Sequence, residues 1–224
     1  VSAGTLALNK TAGVNAIAGN VTIGDGVGGL DILRLDANNQ IVDSSVITFT
    51  GSGANAGVLR LNGKNETIAG LNSSAAGAGI IENNSSTDST LTVNNASGTT
   101  TFSGLIRDGS TGKLNITKNG QGGLAITGSN SYSGVTTVNA GSLIVGHNAA
   151  LGTSSVVVDS NASLIVNAGV VLSNVGRTYT VATSQAAYRK NFANGESFAN
   201  ANRVSSDLSG VDTTAAILGG TANT

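Results

Sequence analysis

The chain has 224 residues, of which 39% are hydrophobic, 10% charged and 3% aromatic, with a formal net charge of −1 and no Pro, Cys, Met or Trp. Without cysteine there is no disulfide scaffold, thiolate nucleophile or zinc–thiolate site. One histidine, His147, leaves no His-rich metal site, and near-zero charge without a polybasic run excludes a nucleic-acid footprint.

Gly, Ser, Thr and Asn fill about half of the positions. That composition suggests disorder, since little apolar area offsets the entropy of ordering. Against it stand a mean hydropathy of +0.15 and an apolar fraction made mostly of Ala, Val, Ile and Leu. Such a chain has to hide small branched side chains in a narrow core, because wide cores use more Phe, Trp and Met. The longest apolar run, Ala215 to Leu218, is too short to cross a bilayer. Val1 in place of a methionine, with no apolar leader, is expected of a processed or excised piece.

Short alternating apolar segments recur in chain order: 21–23, 32–35, 46–49, 58–61, 91–93, 114–117, 124–126, 143–145 and 164–166. Between them lie Gly, Asn, Ser and Asp, as at Gly24-Asp25-Gly26, Asn62-Gly63-Lys64 and Asn119-Gly120-Gln121-Gly122-Gly123. These residues tolerate positive φ and bond their own turns, so the pattern predicts strand, turn, strand with a period of two. An antiparallel sandwich and a parallel solenoid both use such strands. The solenoid fits better, because aromatics are scarce, Pro is absent and Asn is abundant at turns, where stacked side chains form ladders. The expected fold is therefore all-β, a right-handed parallel β-solenoid (β-helix). At about 20–25 residues per coil the chain would make roughly nine or ten coils, a rod near ~45 Å.

The expected organisation is a β-helix over residues 1–182 and an atypical C-terminal element over 183–224. The expected core is Ile23, Leu35, Ile47, Leu61, Leu91, Ile116, Ile126, Val138, Ile144 and Ile165. From Ser184 to Asp207 the alternation fades into a loop or short helix, on which Tyr188 and Phe192, four apart, would pair. Residues 208–224 could add a final strand. The element would cap the rod or contact a partner, with Tyr188, Arg189, Phe192 and Phe198 as the candidate assembly contacts.

The segment Lys113 to Val145, with Lys118-Asn-Gly-Gln-Gly-Gly-Leu-Ala-Ile-Thr-Gly-Ser-Asn-Ser-Tyr132-Ser-Gly-Val-Thr-Thr-Val-Asn-Ala-Gly-Ser-Leu143 inside it, resembles the passenger-associated strand repeat of bacterial autotransporters. Stretches at 33–46, 61–71 and 96–105 are similar to recurrent passenger sequence, so the resemblance spans about residues 4–175. It implies coils of a parallel β-helix in an extracellular or surface-displayed protein secreted by a bacterium, commonly an adhesin, an aggregation factor or a stalk.

Several parallel β-helices cleave polysaccharides with clustered carboxylates, often with Ca²⁺. Asp25, Asp31, Asp36 and Asp43 fall within nineteen residues, but their spacings match no calcium loop, and turn capping is the plainer reading. His147 follows a strand with no local carboxylate or nucleophile to orient it, as a turn histidine would. Residues 118–123 are Gly-rich but lack the Gly-Lys-Ser/Thr ending of a phosphate loop. Thr-x-Thr pairs at 48/50, 90/92, 99/101 and 178/180 do not recur once per coil, which argues against an ice-binding face. Nine Asn-x-Ser/Thr sequons, Asn65 and Asn115 among them, are close to what this composition gives by chance.

The expected function is a non-catalytic rod, stalk or filament segment without a cofactor or metal. Its expected partners are its own copies end to end, or the neighbouring coils of a longer parent chain. The alternatives are an adhesin that binds surface glycans or matrix through a shallow face, and a polysaccharide-cleaving enzyme.

Overall fold

A computed structural model describes residues 1–160 and 162–172, and the backbone of the strands at 179–181 and 187–190. Those residues form a parallel β-solenoid of about seven turns, with one short 3₁₀ turn at Gly53–Asn55. Every paired strand runs parallel to its neighbours. The expected nine or ten coils divided all 224 residues by a short coil. The early coils are longer than that, and residues after Lys190 lie outside the described set.

Three faces make up the rod. The first stacks β1 (Thr5–Leu8), β3 (Asp31–Leu35), β5 (Gly57–Arg60), β8 (Ile80–Glu82) and β11 (Leu105–Arg107). The second stacks β6 (Glu66–Ile68), β9 (Ser89–Asn94), β12 (Leu114–Asn119), β14 (Thr136–Val138), β16 (Val156–Val158) and β18 (Tyr179–Val181). Before β6 it is represented by a single parallel bridge, Ile17 to Ile41. The third begins with β2 (Val21–Ile23), β4 (Val46–Phe49) and β7 (Gly70–Ser73) and resumes with β10 (Thr99–Phe102), β13 (Gly123–Ile126), β15 (Gly141–Val145), β17 (Ala162–Val166) and β19 (Ala187–Lys190).

Side chains alternate along each strand, and the inward positions are mostly apolar. Leu33, Leu59, Ile81 and Ile106 form one fully buried column on the first face. Leu6, in register with Leu33 in the first coil described, is 47% exposed. Phe49 and Phe102 meet edge-on inside, ring centroids 5.2 Å apart. Eight of the ten expected core residues are buried. Ile144 and Ile165 are only half-buried, because in Gly141–Val145 and Ala162–Val166 it is Leu143, Val145, Leu164 and Val166 that face inward. Three consecutive apolar residues cannot share one side of a pleat, and the parity that buries two of them wins.

Side chains bridge the places where a backbone ladder is interrupted. Between Ile41 and β6 the Glu66 carboxylate accepts the N–H of Gln40 (2.7 Å) and Ile41 (3.3 Å). Between β7 and β10 Asn72 Oδ1 and Ser73 Oγ accept the N–H of Thr101 and Ser103. Where the first face ends at β11, Asn130 Oδ1 accepts the N–H of Ile106 (2.7 Å) and its Nδ2 donates to Ala150 O (2.6 Å). Buried backbone groups need partners, and here amides, a hydroxyl and a carboxylate supply them.

The strand at Ala187–Lys190 pairs in parallel with β17. Tyr188, expected on a loop or short helix, lies on that strand; the rest of 183–224 is outside the described residues.

Candidate functional site: the second face and its corners

Inward positions of the second face hold two ionisable side chains without an ion-pair partner. Glu66 is 1% exposed, and burial, aided by Asp43, pushes its carboxyl up to about 7 despite the backbone N–H groups of Gln40, Thr67 and Ile41 that bond it. Lys118 is fully buried in the column of Val93, Val138 and Val158. Its ammonium donates to the carbonyls of Asn119 (2.5 Å), Gly120 (2.8 Å) and Ala140 (3.2 Å), tying one turn to the next coil, while burial brings its pKa down to about 8. A lysine held in this way cannot reach a phosphate.

Beyond β11 the core is closed by Tyr132, fully buried, whose hydroxyl meets Thr136 Oγ1 at 2.7 Å. Thr136 Oγ1 in turn meets Ser154 Oγ at 2.9 Å, and Ser154 donates to Leu151 O. Gly120, at φ +74°, lies so close to Asn95 O that any Cβ would collide with that carbonyl. Lys118, Asn130, Tyr132 and Thr136 of the sequence motif are thus all inside the rod, where they pack its interior.

The four spaced aspartates do not converge on a shared site. Asp25 caps Val27 N–H, buried Asp31 accepts the N–H of Asp25, and Asp36 pairs with Arg34 at 2.8 Å, which holds its carboxyl below the usual range. Asp43 is exposed. Asp108 accepts Leu114 N–H and both the N–H and hydroxyl of Ser133. Buried Glu82 binds Arg60 at 2.7 Å and Arg107 at 2.6 Å. His147 is an exposed turn residue whose Nδ1 accepts Ala149 N–H. No group of three His, Cys, Asp or Glu that could hold a metal occurs among the described residues. Tyr188 stands in register with buried Leu164 and Arg189 with Ile165, whereas Phe192 and Phe198 lie outside the described residues.

The three outer surfaces differ. On the first, an apolar cluster of Ala56, Val58 and Ile80, with Ile32 and Leu105 against it, runs beside the ionic row of Arg34, Arg60, Glu82 and Arg107. On the third, Ala125, Ile144 and Ile165 align. On the second, Thr67, Thr92, Thr117 and Thr137 align once per coil, followed by Val157. Of the Thr-x-Thr pairs, Thr48 and 99/101 lie on strands of the third face and 90/92 on the second, Thr180 is in register with Val157 on the second, and Thr178 lies outside the described residues. Single threonines keep the register, and sequence reading overlooked them because it looked for pairs.

Residues 116–145 match the family model of the passenger-associated-transport-repeat. No curated protein and no solved structure is significantly similar to the chain. Among the described residues no helix is long and apolar enough to cross a membrane, which says nothing of a β-barrel. A passenger-associated-transport-repeat at 116–145, set in a parallel solenoid whose interior that motif packs, fits an autotransporter passenger β-helix.

Proposed function

We propose that the chain is a non-catalytic structural segment of a surface-displayed or secreted bacterial rod. The observation that supports this most is how the described carboxylates are used: all except exposed Asp43 are bonded to a backbone N–H, a hydroxyl, an amide or an arginine. An acid–base pair for glycan cleavage needs two carboxyl groups free toward the same bond. The test is degradation of a polysaccharide panel by the whole protein, with Asp31→Ala and Asp36→Ala as controls. Cleavage abolished by either substitution would replace this reading with the enzyme one. Surface placement is checked by protease shaving of intact cells, which should remove the chain without lysis.

Partners follow from the same reading. The edge strand β1 and exposed Leu6 offer hydrogen-bonding groups and an apolar contact to another β-coil, whether of a second copy or of a longer parent chain. Removing residues 184–224 should change the sedimentation of the whole protein. Unchanged sedimentation and unchanged micrographs would deny that element an assembly role.

A further inference from the structure

We propose that the outer surface of the second face binds an extended, uncharged polysaccharide laid along the rod axis. The second face is the one whose strands stay in a single sheet from β6 to β18, while the first face stops at β11 and the third is interrupted between β7 and β10. A ligand running along the axis meets an unbroken track only there.

The central column of that track is Thr67, Thr92, Thr117, Thr137 and Val157. None of the four threonine hydroxyls is bonded to another described residue, so each is free to donate and accept. Rungs lie about 4.8 Å apart, giving an array of hydroxyl and methyl groups that repeats on the scale of a sugar ring. The flanking amides are fixed by the coils themselves: Asn65 Oδ1 takes the N–H of Thr90, Asn115 Oδ1 that of Val135, and Asn119 Oδ1 the Nδ2 of Asn139. Val135 (42% exposed) and Val157 (37%) add flat apolar contact on the same side.

Charge narrows the occupant. Across these three columns Asp159, at one corner, is the sole ionisable side chain among the described residues, whereas the first face carries an arginine–carboxylate row. β-Propensity favours β-branched residues and mildly disfavours charged ones in every strand. Yet the first-face strands of the same solenoid carry Arg34, Arg60, Glu82 and Arg107, so a strand setting by itself does not account for the uncharged second face. A surface without cations offers nothing to an anionic glycan or nucleic acid. Two steps of about 6.7 Å across and four rung steps along give roughly 13 by 19 Å, well short of the ~800 Å² per partner of a stable protein complex. A narrow linear polymer fits that strip, and gains avidity by touching many rungs at once.

The test uses the whole protein and a panel of six-residue, neutral, β-linked gluco-, manno- and galacto-oligosaccharides, titrated by calorimetry and by NMR, with a heparin hexasaccharide as the anionic control. Binding to at least one neutral member is expected, with affinity lost at least tenfold in Thr92→Lys/Thr117→Lys and unchanged in Ile144→Lys, which alters the third face. Circular dichroism and melting confirm that each variant is folded. No binding to any neutral member, equal binding by the Thr92/Thr117 variant, tighter binding of heparin, or self-association abolished by that variant would each overturn the proposal. Chromatography of the recovered sugar separates the two readings, because cleaved sugar refutes the non-catalytic function while leaving the binding face standing.

Discussion

Up to Arg107 a coil crosses three faces and takes 22 residues (Val58 to Ile80) to 27 (Thr5 to Ile32), whereas from Leu114 on it crosses two and takes 19 (Gly123 to Ser142) to 24 (Ser163 to Ala187). The first kind of coil encloses its core with three pleated walls, so Leu, Ile and the Phe49–Phe102 pair fill its centre, and buried polar groups such as Gln40, Glu66 and Asn83 bridge backbone at the corners. In the second kind a loop replaces one wall. That loop has to bring its own filling and satisfy its own backbone, which is where Asn130, Tyr132, Thr136, Leu151 and Ser154 come in. The matched repeat at 116–145 lies just past this change of shape, in the first of the shorter coils. The lesson is that the motif's conspicuous polar residues mark the loss of a wall.

The largest effect that would sharpen the comparison is at Tyr132. Tyr132→Ala should cost about 3–5 kcal/mol, since it empties a plug that no third wall can collapse onto. Hydrogen exchange should then rise chiefly after Leu114; a uniform rise along the rod would count against two kinds of coil. Lys118→Met keeps the length of the side chain but leaves three carbonyls without their donor. A loss of about 2–4 kcal/mol in denaturant unfolding is expected, and a stabilised variant would show that those carbonyls find other partners.

A proton probes the other region. Glu66 titrates at about 7 in the folded protein against 4.5 as its ordinary value. Its folded form therefore holds a proton that the unfolded form has given up, so the stabilising contribution is complete below pH 4.5 and is lost as the pH rises through 7. The three-walled coils should be more stable at pH 5 than at pH 8, by at most about 3 kcal/mol, and Glu66→Gln should flatten that dependence. A wild type that grows more stable between those pH values would contradict the sign. The smallest effect is expected of Ile144→Thr, below about 1 kcal/mol, against about 2–4 for Leu143→Ala one residue away.

Much of this was legible in the sequence, and the limits have physical causes. Alternation and turn residues gave parallel coils and eight core positions, but parity within Leu143-Ile144-Val145 is undetermined until a neighbouring strand fixes it. The same parity carried a signal that a polarity-based reading passes over. Lys118 shares the phase of Leu114 and Ile116, and Glu66 that of Ile68, so both point inward. What no local pattern shows is the stacking distance. Thr67, Thr92, Thr117 and Thr137 are separated by 25, 25 and 20 residues, and they form a column only because coil length changes where the wall is lost.

That change of register is also the most direct thing to measure. The chain contains no cysteine, so pairs can be introduced cleanly, and parallel rung neighbours fall within the Cα separation a disulfide requires. Thr92→Cys/Thr117→Cys and Thr117→Cys/Thr137→Cys should each oxidise spontaneously to an intramolecular bond in the folded protein. Thr117→Cys/Ser142→Cys, which keeps the 25-residue step of the earlier coils, should stay reduced. A bond in the third pair without one in the second would contradict a solenoid that shortens its coil across residues 116–145.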